Sequence, residues 1–240
     1  MTTLVVTAVE AERDAFVASL GPARESRLGG YEGLLLDTID GELHAVHAGV
    51  GPVAAAAATA TLLALGPRYD LIVNAGLGGG FRGRAGTGDV VLADEVAAAD
   101  QGALTDDGFK PLRDLGLPGN GRYAIGGSFV RSRLEGGPYR LVVGQVLTLS
   151  CMTGTADRAA ELAARHPRAV AEAMEGYGVL EAVRREGARS GHDPLFAEVR
   201  AISNLVGPRD RSTWDIPAAL TTLTAAGARL AGGATRTAAS

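Results

Sequence analysis

Short apolar runs rich in β-branched residues recur along the chain: 3–8 (TLVVTA), 33–39 (GLLLDTI), 43–48 (LHAVHA), 71–76 (LIVNAG), 89–96 (DVVLADEV), 141–150 (LVVGQVLTLS) and 198–203 (EVRAIS). A run such as LIVNAG is apolar without alternation, the pattern of a strand covered on both faces. Helical patterns lie between some of these runs, around 10–20, 52–65, 155–166, 170–187 and 215–231. Strands that alternate with helices predict α/β layering. Nothing between 20 and 230 has the composition of a linker and no repeat is visible, so residues 1–240 read as one domain. The last residues, 233–240 (GATRTAAS), are expected to fray. Residues 100–140 carry many Gly and Pro with weak periodicity, which points to a lid or an interface element.

Composition narrows the classes. The 240 residues are 46% apolar and 21% charged, with a formal net charge of -4 and no basic stripe, which argues against nucleic acid as a partner. Cys151 is the single cysteine, so neither a disulfide framework nor a thiolate metal cluster is expected. The first residues, MTTLVVTAVEAERDAF, lack a basic leader with an apolar core. The richest apolar run, PVAAAAATATLLAL, is too short to span a bilayer. A soluble cytoplasmic protein without membrane contact is the expectation.

Candidate chemistry gathers where strands end. Gly49-Val-Gly-Pro follows the strand LHAVHA; glycine permits close approach and Pro52 suits a first helical turn. Such a helix start is either a tight connection or a place for an anion or hydroxyl. Asn74-Ala-Gly-Leu-Gly-Gly-Gly follows LIV, and its glycines suit backbone lying against a ligand or a close strand crossing. Glu10 and Glu12 follow the first strand, where either could be a solvated first-turn glutamate favoured by the helix dipole. Glu175 is different: Ala173, Met174, Val179 and Leu180 imply burial, and a buried carboxylate needs partners. His44 and His47 stand on opposite faces of one strand, and no histidine spacing suits a metal. No nucleophile elbow is present, so metal-hydrolase and serine-hydrolase chemistry both rank low. Asn204 sits where the apolar EVRAIS opens into a loop; it is either a turn residue or a ligand-reading group at a strand's carboxyl end.

In order along the chain, AVEAERDAF, HAGVGPVAAA, VNAGLGGGF with GDVVLADEV, AVAEAMEGYGV and RAISNLVG resemble the superfamily of purine nucleosidases and nucleoside phosphorylases. These five pieces span residues 3–207 and look like their counterparts in the nucleosidases that cleave methylthioadenosine and adenosylhomocysteine; the run Ser203–Ile216 (SNLVGPRDRSTWDI) resembles a narrower branch of the superfamily and is the most specific feature of the sequence. The resemblance implies a three-layer α/β/α sandwich around a mixed twisted sheet, a homodimer, no cofactor, and hydrolysis of the N-ribosidic bond of a 5′-substituted purine nucleoside. It implies that Glu12 activates water and that Glu175 accepts from the ribose 2′- and 3′-hydroxyls. Met174 would lie under the sugar, the backbone of Leu77 and Gly78 would line the site, and Met152 and Thr153 would flank the base. Relatives often carry an aromatic residue near Met152; a thioether can still pack on a ring face.

Adenine-cleaving relatives hold an aspartate where this chain has Asn204, which cannot protonate purine N7. An amide offers NH₂ donors, which suit the N7 and O6 acceptors of a 6-oxopurine such as hypoxanthine. Phosphorolysis would need cations for a phosphate, and the places where phosphorylases carry an arginine and a hydroxyl hold Asn74 and Leu77 here, although Arg82 and Arg84 are near in sequence. For the 5′ substituent, Phe109, Lys110, Arg113, Tyr123 and Phe129 are candidates, although a surface or core role is the commoner fate of each; Arg209 and Arg211 with Trp214 are another candidate anchor, the alternative being an exposed turn charge-balanced by Asp210 and Asp215.

Overall fold

The computed structural model describes residues 1–119, 121–125 and 127–232; the tail expected to fray, 233–240, lies outside the described residues. Elements follow in the order β1 (Thr3–Thr7), α1 (Glu10–Val17), β2 (Arg24–Leu28), β3 (Tyr31–Thr38), β4 (Gly41–His47), α2 (Pro52–Leu65), β5 (Leu71–Gly80) and β6 (Val90–Ala98). Then come β7 (Gly102–Thr105), β8 (Gly108–Pro111), β9 (Arg122–Ala124), α3 (Ser128–Leu134), β10 (Leu141–Thr148) and α4 (Ala156–Arg165). The chain continues through β11 (Ala169–Ala173), α5 (Gly176–Ser190), β12 (Leu195–Leu205) and α6 (Ile216–Leu230).

The central sheet runs β11-β10-β6-β12-β5-β1-β4-β3-β2 and is mixed. β5 pairs in parallel with both β1 and β12, whereas β12 meets β6 antiparallel and the β2–β3–β4 edge is an antiparallel meander. Side-chain alternation along β1 and β5 divides the core in two. Leu4, Val6 and Ile72 pack beneath Ala55, Ala58 and Leu62 of α2 and Val179 and Val183 of α5. Val5, Leu71 and Val73 face Phe16 of α1, Val130 of α3 and Leu223 of α6 on the other side. A sheet with apolar residues on both faces and helices over each is the three-layer α/β/α sandwich expected.

Two departures from the expected elements matter for the site. Residues 170–187 do not form one helix: AVAEA is strand β11, and α5 begins only at Gly176. Three alanines, a valine and one glutamate carry too little pattern for periodicity alone to separate strand from helix; pairing with β10 does. The glycines after LIVNA continue β5 to Gly80 instead of opening a loop, and this extension pairs antiparallel with β11 (Glu172 with Gly79, Ala171 with Gly80). The sheet therefore curls back on itself at its carboxyl end. A Cβ on Gly80 would stand 2.4 Å from the Ala85 carbonyl oxygen, so the tight turn that follows β5 needs glycine there. Residues 100–140 hold the β7–β8 hairpin, β9 and α3. No helix among the described residues is long and apolar enough to cross a membrane, and no metal-ligating cluster occurs among them.

Candidate active site

At the carboxyl ends of β1, β5, β11 and β12 a cleft of about 200 Å³ opens, and Glu12, Leu77, Gly78, Met152, Thr153, Met174, Glu175 and Asn204 all line it. Glu12 arrives there because α1 starts on Val9, which has no side-chain acceptor for the first turn. Glu12 reaches back instead: Oε2 accepts from the amides of Ala8 (3.0 Å) and Val9 (3.3 Å), and Oε1 accepts from Leu77 (2.8 Å) on β5. It is 8% exposed, whereas the side chain of Glu10 is 68% exposed and pairs with Arg13. The structure thus separates two glutamates that the sequence left alike. Burial pushes the Glu12 carboxyl above the ordinary range, against the pull of the Leu77 amide and the Arg200 guanidinium.

Glu175 caps the start of α5 in the turn between β11 and that helix. Its Oε1 accepts from the Gly51 amide at 3.1 Å, so the helix start after LHAVHA does bind an anion, and the anion is this carboxylate. Gly51 takes φ 95°, a conformation that glycine permits. Oε2 of Glu175 accepts from Arg200 Nη1 at 3.3 Å. Met174 precedes Glu175 on the cleft wall, and Leu77 and Gly78 form its floor.

Arg200, which sequence reasoning passed over, lies wholly buried below this floor. Its Nε donates to Glu198 at 2.9 Å, and its Nη2 to the side-chain Oδ1 of Asn74. Burial opposes its charge, but Glu198, Glu175 and Glu12 outweigh that and hold its pKa above the ordinary arginine value. A Cβ on Gly76 would fall 2.8 Å from Arg200 Nη1 and 2.9 Å from Glu12 Oε1; glycine there leaves room for both side chains. Asn74 is wholly buried, with its amide on the Val6 carbonyl, and stays out of the cleft.

Asn204 is aimed by a bulge. The pairing of β12 with β5 shifts register between Ile202 and Asn204, which turns Asn204 onto the row of Gly79. The Leu205 carbonyl, which can only accept, takes one N–H of the Asn204 amide at 3.1 Å, and Ser203 Oγ donates to its carbonyl at 2.8 Å. These contacts leave one N–H of Asn204 for a ligand rather than the two-donor pair expected. Met152 is 40% exposed at the rim, while Thr153 is buried. Thr153 donates through its amide (2.9 Å) and hydroxyl (2.6 Å) to Glu172, another cleft residue not singled out in the sequence. Burial raises the Glu172 pKa, and the two Thr153 bonds work against that rise. Glu172 shares the small, apolar setting that marked Glu175, and that was the available signal.

Trp214 completes the rim, with Arg209 over its ring at 5.3 Å. None of Phe109, Lys110, Arg113, Tyr123 and Phe129 lines the cleft: Phe109 lies under Arg165, Lys110 meets Asp107, Arg113 meets Asp114, Tyr123 stacks on Tyr177, and Phe129 lies under Arg133. Arg84 is spent on the carbonyls of His166 and Ala169, and Arg82 is exposed away from the cleft. His44 meets the Tyr69 hydroxyl and His47 meets Arg13, apart from each other.

Comparison with known proteins fits this arrangement. The family profile described as the phosphorylase superfamily matches residues 2–238. The futalosine hydrolase of Streptomyces coelicolor is 47% identical over 232 residues, covering 95% of this chain and 94% of that protein. The futalosine hydrolase of Acidothermus cellulolyticus is 44% identical, covering 90% and 85%. Among solved structures, the methylthioadenosine/adenosylhomocysteine nucleosidase of Colwellia psychrerythraea superposes with TM-score 0.78 at 23% identity, covering 97% and 95%. That of Streptococcus pneumoniae gives 0.77 at 21%, covering 96% and 98%, and both share the fold. With sequence likeness along nearly its whole length and the same layered architecture, this chain belongs to the phosphorylase superfamily, in its futalosine hydrolase family.

Proposed function

We propose that this protein hydrolyses the N-ribosidic bond of futalosine, releasing hypoxanthine and leaving dehypoxanthine futalosine, a step of menaquinone biosynthesis. The observation that carries the reading is the pair of buried carboxylates, Glu12 and Glu175, held by backbone amides in one cleft of a chain 47% identical to a futalosine hydrolase. In the reaction the C1′–N9 bond breaks as a water oxygen bonds to C1′, and the bonding pair leaves on the base. The sugar passes through oxocarbenium character. Glu12 takes the water proton. Glu175 accepts from the 2′- and 3′-hydroxyls and places negative charge below the cationic ring. Met174 packs under the sugar, the Leu77–Gly78 backbone closes one side, and Met152 lies against the base with Thr153 behind it. The free N–H of Asn204 stabilises the leaving anion, which finally takes a proton from solvent.

Water rather than phosphate is the nucleophile, because no Arg or Lys is among the described residues lining the cleft and Arg200 is engaged by Glu198, Glu175 and Asn74. The 5′ aromatic carboxylate of futalosine fits against Val9, Val50 and Trp214, with the Arg209 guanidinium beside the indole as its anion partner. A homodimer is part of the proposal: Val50 and Val53, at the start of α2 beside the cleft, are 58% and 81% exposed, as an apolar contact surface would be in a single copy. Incubation with futalosine, inosine, adenosine and methylthioadenosine, with and without phosphate, tests the reading. Hypoxanthine should appear fastest from futalosine, at a rate independent of phosphate and with a free sugar as co-product. Adenine release outpacing hypoxanthine release, or a sugar phosphate product, would overturn it.

A further inference from the structure

Asn204 by itself does not tell oxygen from nitrogen at purine C6. Its carbonyl is occupied by Ser203 and one of its N–H bonds by Leu205. A single N–H can donate to N7, an acceptor in both bases, as well as to O6, so alone it leaves the choice open. A second group has to read the six-position edge.

Glu172 stands where such a group would be. Gly79 on β5 is the register partner of both Glu172 on β11 and Asn204 on β12, so the two side chains flank one glycine across three adjacent strands. A Cβ on Gly79 would lie 3.4 Å from Asn204 Nδ2 and 3.6 Å from Glu172 Cγ. The amide and the carboxylate arm therefore stand on either side of one glycine that lines the cleft with them. The two Thr153 bonds pin the carboxylate and favour its ionised form. A carboxylate has about four acceptor positions, and Thr153 takes only two of them.

We infer that Glu172 is a specificity-determining residue: its carboxylate accepts the N1–H of a 6-oxopurine while the free N–H of Asn204 donates to the neighbouring O6. O6 and N1–H form an adjacent acceptor and donor, matched by an adjacent donor and acceptor on the protein. Adenine presents the reverse pair, an amine at C6 and a lone pair at N1, so it sets a lone pair against the carboxylate and a donor against the amide. Thr153 is the positioning residue for this contact. The inference rests on the proposed reaction for its physiological meaning, yet it can be tested without turnover.

Calorimetric titration of wild-type protein and Glu172→Gln with hypoxanthine and with adenine is the experiment. Wild type should prefer hypoxanthine by about tenfold or more, and Glu172→Gln should erase most of that ratio, since reversing one matched buried pair is worth that factor. An unchanged ratio in the variant, or a wild-type preference for adenine, overturns the inference. Should Glu172→Gln not fold, nitrogen-15-labelled hypoxanthine bound to wild type decides. Its N1–H proton should be shifted downfield and protected from exchange; an N1–H exchanging as in the free base refutes the contact. A protein that shows this base preference but leaves futalosine intact would refute the proposed reaction alone. One that cleaves futalosine with a Glu172-independent base preference would refute the inference alone.

Discussion

Three backbone amides converge on Glu12, and a side chain anchored in this way has little freedom to be anything but a fixed acceptor at the mouth of β1. Replacing it by Gln keeps size and removes the base. Turnover of Glu12→Gln should fall by about 10²–10⁴-fold, while calorimetry should find substrate-analogue affinity within a few-fold of wild type; equal loss of both would mean that Glu12 only holds the fold. Burial lifts the Glu12 pKa above its reference value of 4.5. A general base must be ionised, so the rate should drop on acidification, with a midpoint above that value in a pH–kcat profile. The sign for stability is opposite. A carboxyl whose folded pKa is raised favours folding fully below its unfolded pKa, and that contribution is lost as pH rises through the folded value. Acid therefore costs catalysis where it relieves the fold, as expected of a charge held out of water for function.

Among the elements, the contact of α2 with α5 is the one that joins packing to the site. Gly178 on α5 comes so close to the start of α2 that a Cβ would stand 2.1 Å from the Pro52 carbonyl oxygen. Next to Pro52 is Gly51, whose amide holds Glu175. Gly178→Ala must push the helices apart, and overpacking of this kind costs about 1–3 kcal/mol. The denaturation midpoint should fall accordingly, and KM for a riboside should rise because Gly51 withdraws from the carboxylate that meets the sugar hydroxyls. An alanine at 178 that leaves both quantities unchanged would show that the helix crossing and the site are independent. Gly227 on α6 meets the Phe16 carbonyl of α1 just as closely, so the helix carrying Glu12 is seated in the same way on the opposite face.

For the molecule as a whole, the decisive interior feature is the charge beneath the cleft. Arg200 stands among Glu198, Glu175 and Glu12, and Glu198 is completely buried with one oxygen unpartnered. Burial raises the Glu198 pKa, with Arg200 drawing it back. Arg200→Met strips the cation and leaves buried acids facing each other, a change worth about 3–5 kcal/mol at neutral pH. The deficit should shrink as pH falls, because Glu198 and Glu12, raised further without the cation, take up protons in the folded state before the unfolded chain does. Adding Glu198→Gln should recover part of it at neutral pH. Urea unfolding at two pH values checks both statements; a deficit constant with pH would assign the loss to packing alone.

Much of this protein was already written in local pattern. The apolar runs of β1, β5 and β12, the proline and glycines that start α2, and the alternation of strand with helix are consequences of neighbouring residues, and they specify α/β layering, which the family resemblance narrows to a three-layer sandwich. Glu175 and Asn204 could likewise be picked out at element ends, since their chemistry is unusual for their surroundings, whereas only the family resemblance set Glu12 apart from Glu10. Long-range pairing decided the remainder. AVAEA becomes a strand only because β10 and the glycine tail of β5 lie beside it, and that one assignment brings Glu172 across Gly79 to Asn204. The bulge at Ser203, the burial that divides Glu12 from Glu10, and the Arg200 cluster arise in the same way. Each depends on which distant backbone supplies the partner for a hydrogen bond or excludes water from a charge. That is a property of packed strands and helices in space, and no short stretch of chain carries it.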